Sequence, residues 1–346
     1  MYSWFDLTAK LQSHDPMTGF RYPLLTLVVS LLLTLGLTPL VRKFAMSRGA
    51  VDDPSRDERR VHTVPIPRWG GMAIFGGTVL ALVLVLPFAY PKNPFPPYFL
   101  GMAGLGTVLV VMGAVDDLKQ LSAKLQLLYL LAVGFLVQLP FDKVGRVQIQ
   151  GMEMPIFGPH NHWQSFGIWA FVITAFYIFV TTKTMDTIDG IDGLAAGISS
   201  IAAGTLAIIA TYEGQPRVAL VAAASAGASI GFLRYNYNPA KIFMGTGGAQ
   251  FLGFWLASLS IVGALKTAAA LAVFIPILVF GVPFIDAIVV VVRRILSRQP
   301  ITQADKRHLH HALLAKGLSQ RQAVWVLYVV AIALCGALIT IVRIYG

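Results

Sequence analysis

The stretch TTKTMDTIDGIDGLAAG, residues 181–197, joins two apolar runs: IWAFVITAFYIFV (168–180) on one side and ISSIAAGTLAIIATY (198–212) on the other. Each run, with its flanks, has the length of a bilayer crossing. At the seam stand three carboxylates three residues apart, Asp186, Asp189 and Asp192. Charge beside a bilayer is costly and marks a functional position. If the flanks are spans, the chain crosses the membrane repeatedly, and these acids sit where one crossing gives way to the next.

The whole chain agrees. Of its 346 residues, 56% are hydrophobic and only 12% charged, a balance foreign to a soluble domain of this length. Apolar windows place ten spans near 23–45, 70–90, 98–115, 124–140, 166–185, 193–212, 217–234, 248–265, 268–292 and 323–343. The fold class is therefore an all-α polytopic integral membrane protein of one domain, 1–346. Residues 1–22 form an N-terminal extracytoplasmic or interfacial segment, expected to hold no signal peptide, and 293–322 a cytoplasmic loop. The single cysteine, Cys335, excludes an intrachain disulfide and a cysteine metal site.

Ten spans put both termini on one side. The loops after the odd-numbered spans hold 19 of the 27 Lys and Arg residues, which assigns them to the cytoplasm and both termini to the outside. The net charge of +11 is then the basic face of a membrane protein, with no nucleic-acid partner implied. Most acids and the histidines of the last loop fall on that same face. A transporter more often carries its key charges at mid-membrane, where only Asp286 lies. One face rich in both signs suits an anionic ligand.

Five motifs lie on that face. GAVDDLKQLSAK (113–124) ends the third span with adjacent Asp116 and Asp117; neighbouring carboxylates repel unless a cation offsets them, and Mg²⁺ with phosphate does so. MDTIDGIDGL (185–194) reads as the opening turns of the sixth span, its acids fanned over about a third of a helix; stabilisation by the helix dipole is its plainer reading. In RYNYNPAKIFMGTGGAQFLGF (234–254), Gly245, Gly247 and Gly248 precede a helix and could cradle phosphate by backbone N–H groups. ADKRHLHHALL (304–314) sets His308, His310 and His311 beside Lys306 and Arg307, a better grip for diphosphate than for zinc. RRVHTVPIPRWGGMAIF (59–75) offers His62 and Arg68 as anion contacts. Each motif taken singly also reads as an ordinary loop or helix end.

Taken in order from about Asp53 to Leu314, these motifs resemble the polyprenyl-phosphate N-acetylhexosamine-1-phosphate transferases, a superfamily that includes the phospho-N-acetylmuramoyl-pentapeptide transferases. The H-x-H-H pattern resembles the branch that uses UDP-N-acetylglucosamine or a related UDP-sugar. The resemblance implies ten or eleven helices around a cytoplasmic-face active-site cleft in a bacterial inner membrane. It implies transfer of a sugar 1-phosphate to undecaprenyl or another polyprenyl phosphate with release of UMP, as a first membrane step of envelope glycan synthesis. By this resemblance Asp116 and Asp117 activate the lipid phosphate and organise metal, and Asp189 and Asp192 line the nucleotide pocket. Phe243 stacks on uracil, and Asn236, the three histidines, Lys124 and Arg68 contact phosphate or sugar. The cofactor is Mg²⁺, with Mn²⁺ as a substitute, and homodimers occur in the family.

The chain departs from the family pattern at four positions. GTGGA (245–249) replaces G-D-x-G-S, so Thr246 stands where the family has a metal-ligand Asp. Lys183 and Asp186 stand where asparagines are usual, and Gln126 where Lys is common. The expectation is a relocated metal site on Asp117 and Asp186. Two other functions remain open at this stage: a catalytically degenerate scaffold, for which Thr246 speaks, and a transporter or flippase of lipid-linked sugar, for which Asp286 speaks.

Overall fold

The computed structural model describes residues 18–52, 65–139, 146–153, 163–264, 279–296 and 309–345. After a 3₁₀ turn (Thr18–Phe20), α1 runs Arg21–Ser47. The hairpin of β1 (Val51–Asp52) and β2 (Ile66–Pro67) leads into α2 (Gly70–Ala89), α3 (Pro97–Lys119) and α4 (Ala123–Leu136). A second antiparallel hairpin, β3 (Gly151–Glu153) with β4 (Trp163–Ser165), precedes α5 (Trp169–Ile188). Then follow α6 (Leu194–Tyr212), α7 (Pro216–Asn236), α8 (Gly245–Ala264), α9 (Gly281–Leu296), the short α10 (Leu309–Ala315) and α11 (Gln320–Tyr345).

Seven of these helices are long and apolar enough to cross a membrane, and α4 is a shorter apolar helix. Eight of the ten expected spans coincide with a helix within a few residues. The ninth, 268–292, is described only from residue 279 onward, as α9. The fourth, 124–140, is corrected: α4 has 14 residues, roughly 21 Å of helix against a hydrocarbon core of about 30 Å. Its end is fixed where Gln138, buried, turns back and donates to the carbonyls of Gly134 (2.8 Å) and Phe171 (2.9 Å). Within the expected loop 293–322, residues 309–315 are helical.

Lipid offers no hydrophobic drive for helices to meet, so close packing of small residues must hold them. α1 and α7 show how. α1 buries Thr26, Ser30, Thr34 and Thr38, four apart on one face, and two of these hydroxyls are satisfied within the helix four residues back: Thr26 by Tyr22 O (2.7 Å) and Thr38 by Thr34 O (2.6 Å). Opposite, a Cβ on Gly227 or Gly231 of α7 would run into the carbonyl oxygens of Leu27 and Leu31. The outer faces keep leucines and valines exposed, among them Leu24, Val28 and Leu32 of α1. The interior is densest around α7 and α8, where Phe232, Phe251, Phe254 and Trp255 are fully buried.

Candidate active site

The expected site residues other than the histidines gather at one end of the bundle, where the hairpin β1–β2, the C-terminal ends of α3, α5 and α7 and the N-terminal ends of α2, α4, α6 and α8 meet. Backbone pairing fixes this junction. Phe243 N donates to Pro67 O (2.8 Å), Gly70 N to Phe243 O (2.9 Å) and Gly71 N to Met244 O (2.8 Å). Thus the approach to α2 lies along the approach to α8. Trp69 caps α2 with φ +75°, and its indole N–H donates to Ala114 O of α3 (3.2 Å).

The glycines of GTGGA serve this packing. A Cβ on Gly113 would overlap the backbone of Gly247, and one on Gly71 that of Gly248. Three helix ends therefore touch backbone to backbone. The first-turn N–H of Thr246 is already taken by a carboxylate, Asp117 Oδ1, at 3.2 Å. The anion at this helix N-terminus is the protein's own, placed where the helix dipole favours it.

Asp116 and Asp117, neighbours in sequence, enter two separate networks. Asp117 is 1% exposed. Its Oδ1 also accepts from Arg68 (3.2 Å), whose other terminal nitrogen is bonded to buried Asp52 at 2.6 Å. Its Oδ2 is buried with no hydrogen-bond partner among the described residues. Asp116 Oδ1 accepts from Leu121 N (2.7 Å) and from the amide of Gln126 (3.0 Å). The carbonyl of Gln126 accepts from Lys183 Nζ (2.9 Å), which also pairs with Asp186 Oδ2 at 2.7 Å. Gln126 thereby links Asp116 to the Lys183–Asp186 ion pair.

The acidic seam does not lie on one helix, as its spacing suggested. Asp186 is in the last turn of α5, Asp189 caps that helix, and Asp192 lies in the link to α6. Gly190 and Gly193 break the helix, and Gly193 takes φ +82°. The dipole reading therefore fails for Asp186, which sits at the helix end where negative charge is disfavoured. Asp189 accepts no hydrogen bond from a described residue. Burial pushes its carboxyl well above the ordinary carboxylate range, and the facing carboxylates of Asp186 and Asp117 push it further.

Asp192 and Asn236 are committed to architecture. Asp192 Oδ2 accepts from Asn238 Nδ2 (3.0 Å) and Ala240 N (2.9 Å). Asn236, buried, accepts from Gly193 N and donates to Ile242 O, both at 3.1 Å. Together they tie the acidic link to the loop that presents Phe243, which is half-buried. Tyr328 of α11 reinforces the link by donating to Gly193 O (2.6 Å). Lys124, in the first turn of α4, is exposed. His62 and His308 lie outside the described residues; His310 and His311 fall on α10. Sequence reasoning missed the contact that holds α10: buried Asp286 accepts from Leu309 N at 2.6 Å. An acid inside an apolar helix was its only signal.

Does this donor set suit magnesium? Among the described residues no three His, Cys, Asp or Glu side chains converge on one point, so a cage built wholly of protein is not what the residues offer. One buried, unpartnered carboxylate oxygen on Asp117, with Asp189 near enough to feel its charge, matches a hard cation. Such a cation takes one or two protein carboxylates and completes its shell with phosphate and water.

The chain matches the model of glycosyl transferase family 4 over residues 99–264. It is 37% identical to a probable undecaprenyl-phosphate N-acetylglucosaminyl 1-phosphate transferase of Bacillus subtilis, over 88% of this chain and 80% of that protein. It is 30% identical to a decaprenyl-phosphate N-acetylglucosaminephosphotransferase of Mycobacterium tuberculosis, over 83% and 74%. With an undecaprenyl-phosphate alpha-N-acetylglucosaminyl 1-phosphate transferase of Escherichia coli K12 the identity is 26%, over 86% and 77%.

Proposed function

The chain belongs to glycosyl transferase family 4, and from that premise we propose that it transfers N-acetylglucosamine 1-phosphate from a UDP-sugar to a polyprenyl phosphate. The observation that carries this reading is Asp117. Its carboxylate is buried, one oxygen fixed by Arg68 and the N–H of Thr246, the other without a hydrogen-bond partner among the described residues. A buried charge left open is costly unless a ligand completes it.

A phosphate oxygen of the lipid attacks the β-phosphorus of the UDP-sugar. The bond from that phosphorus to the α–β bridging oxygen breaks, UMP leaves with the oxygen, and the sugar remains on a polyprenyl diphosphate. Bound Mg²⁺ would be held by Asp117 with Asp186 or Asp189, and supplies charge neutralisation to the phosphates. Arg68, locked by Asp52, fixes the direction of the Asp117 carboxylate. Asp116, held by Leu121 N and Gln126, stands one residue away for the lipid phosphate. Phe243 offers a ring to uracil, and the α10 histidines, anchored through Asp286, contact the donor. The positive-inside pattern of the sequence supports a cytoplasmic location for this end of the bundle, where UDP-sugars are made. The membrane is a bacterial inner membrane, by analogy with the relatives.

Thr246 favours a second reading, a non-catalytic scaffold, because it brings no carboxylate. One assay separates the two: purified protein, polyprenyl phosphate, Mg²⁺ and a panel of radiolabelled UDP-sugars. Label in the lipid phase, strongest with UDP-N-acetylglucosamine and abolished by EDTA, is the expected result; none across the panel refutes the transferase.

A further inference from the structure

Arg68 and Lys183 are both paired with acids of the site, and they are used differently. Arg68 is held in place by two carboxylates, Asp52 and Asp117. Lys183 is 41% exposed. Its ammonium has three N–H donors; one goes to Gln126 and one to Asp186, which leaves one for a ligand. Gln126 is suited to present it. A neutral amide both donates to Asp116 and accepts from Lys183, so the ammonium is held two hydrogen bonds from a carboxylate assigned to the acceptor phosphate.

The position of this arm indicates which phosphate arrives there. Gln126 lies in the first turn of α4 among Leu125, Leu127 and Leu128, which are 39%, 44% and 67% exposed. Leu118, in the last turn of α3, is 48% exposed. These exposed leucines give an apolar surface beside Gln126, which enters the charged network. Phe243 and the approach to α8 lie with the Arg68 arm.

We propose that Lys183, presented by Gln126 and Asp186, binds the phosphate monoester of the lipid acceptor. The identity of the lipid rests on the transferase reading; the phosphate chemistry does not. The competing account makes Lys183 only a neutralising partner for Asp186, three residues along the same helix.

The test measures binding without turnover. Native mass spectrometry of the purified full chain in EDTA compares polyprenyl phosphate with the matching polyprenol, and separately with UMP and inorganic phosphate. Lys183→Met should lose about tenfold in its preference for the phosphorylated lipid, the scale of one charge-assisted hydrogen bond. Lys183→Arg should keep most of that preference. UMP affinity should stay within about twofold of the parent. Asp186→Asn should bind the lipid at least as tightly, and Lys183→Met/Asp186→Asn should remain as weak as Lys183→Met. Recovery in that double variant, no loss in Lys183→Met, or a loss confined to UMP or inorganic phosphate would each overturn the proposal. Lys183→Gln replaces Lys183→Met if thermal melting shows the latter unfolded. If no UDP-sugar is turned over by the wild type, the transferase reading fails while this measurement still reports on Lys183.

Discussion

Asp117→Asn exchanges one oxygen for an amide nitrogen and removes one charge, with almost no change in volume. The fold is expected to tolerate it. Oδ1 can still accept from Thr246 N, Arg68 keeps Asp52 at 2.6 Å, and Oδ2 already lacks a hydrogen-bond partner among the described residues, so the amide exchanges one unpartnered polar atom for another. What the fold loses is the charge assistance in one 3.2 Å bond to Arg68, about 1 kcal/mol. What the reaction loses is a negative charge facing metal and phosphate. Removal of one such preorganised group costs about 100- to 1000-fold in rate, ~2.7–4 kcal/mol. The two effects differ enough to be measured apart. Initial rates of label transfer to polyprenyl phosphate should fall by at least ~100-fold, while the melting temperature moves by a few degrees at most. Turnover within tenfold of the parent would refute the assignment. So would a loss of activity that merely tracks a loss of folded protein. Asp117→Ala is the contrast: it strips the cap from α8 and should cost stability as well.

Asp186→Asn should raise the Mg²⁺ concentration for half-maximal rate about tenfold, and adding Thr246→Asp should recover much of that; purely additive losses in the double-mutant cycle count against a relocated carboxylate. Gly113→Ala forces a Cβ into Gly247 and should lower stability by roughly 1–3 kcal/mol, whereas Gly104→Ala, with nothing within 4 Å, should be silent in the same thermal melt. Because burial and the neighbouring carboxylates raise the Asp189 carboxyl above its ordinary range, it keeps its proton to higher pH than an exposed carboxyl does and must release it to meet a cation. Apparent Mg²⁺ affinity should therefore rise with pH, and Asp189→Asn should flatten that rise in a titration series. Asp286→Ala frees the N-terminus of α10; it should raise KM for the UDP-sugar with little change in kcat, as should His308→Ala and His311→Ala, and a kcat-only effect would separate the histidines from donor binding.

The spans were legible because a bilayer crossing is a local property: some twenty apolar residues in a row announce it, and α1, α2 and α11 follow directly. α4 was read too long because its apolar run continues past the point where Gln138 turns back to Gly134 and Phe171, a contact set by α5. The acidic seam was placed on one helix because three-residue spacing looks helical; Gly190 and Gly193 carried the opposite signal. The packing role of the GTGGA glycines was not legible, because sequence does not say which glycine meets which. Gly113 and Gly247 are 134 positions apart in the chain, and only the fold brings their backbones together.

The four departures from the family pattern make better sense together than singly. The resemblance implies Lys at 126, Asn at 183 and 186, and Asp at 246; this chain has Gln126, Lys183, Asp186 and Thr246. Either set contributes one positive and one negative charge. Here three of the four positions are joined in one hydrogen-bonded line, Gln126 to Lys183 to Asp186, and Gln126 continues it to Asp116. The fourth, Thr246, reaches Asp117 through its backbone N–H. The cation has thus passed from α4 to α5 and the carboxylate from α8 to α5, while both members of the Asp116–Asp117 pair keep a tether. A scaffold would gain from closing the remaining gap, since a buried carboxylate oxygen with no partner weakens the fold. Among the described residues nothing closes on Asp117 Oδ2, and Lys183 keeps a half-exposed ammonium at the same end of the bundle. Those are the two things a site needs if its substrates bring the cation and the phosphates with them.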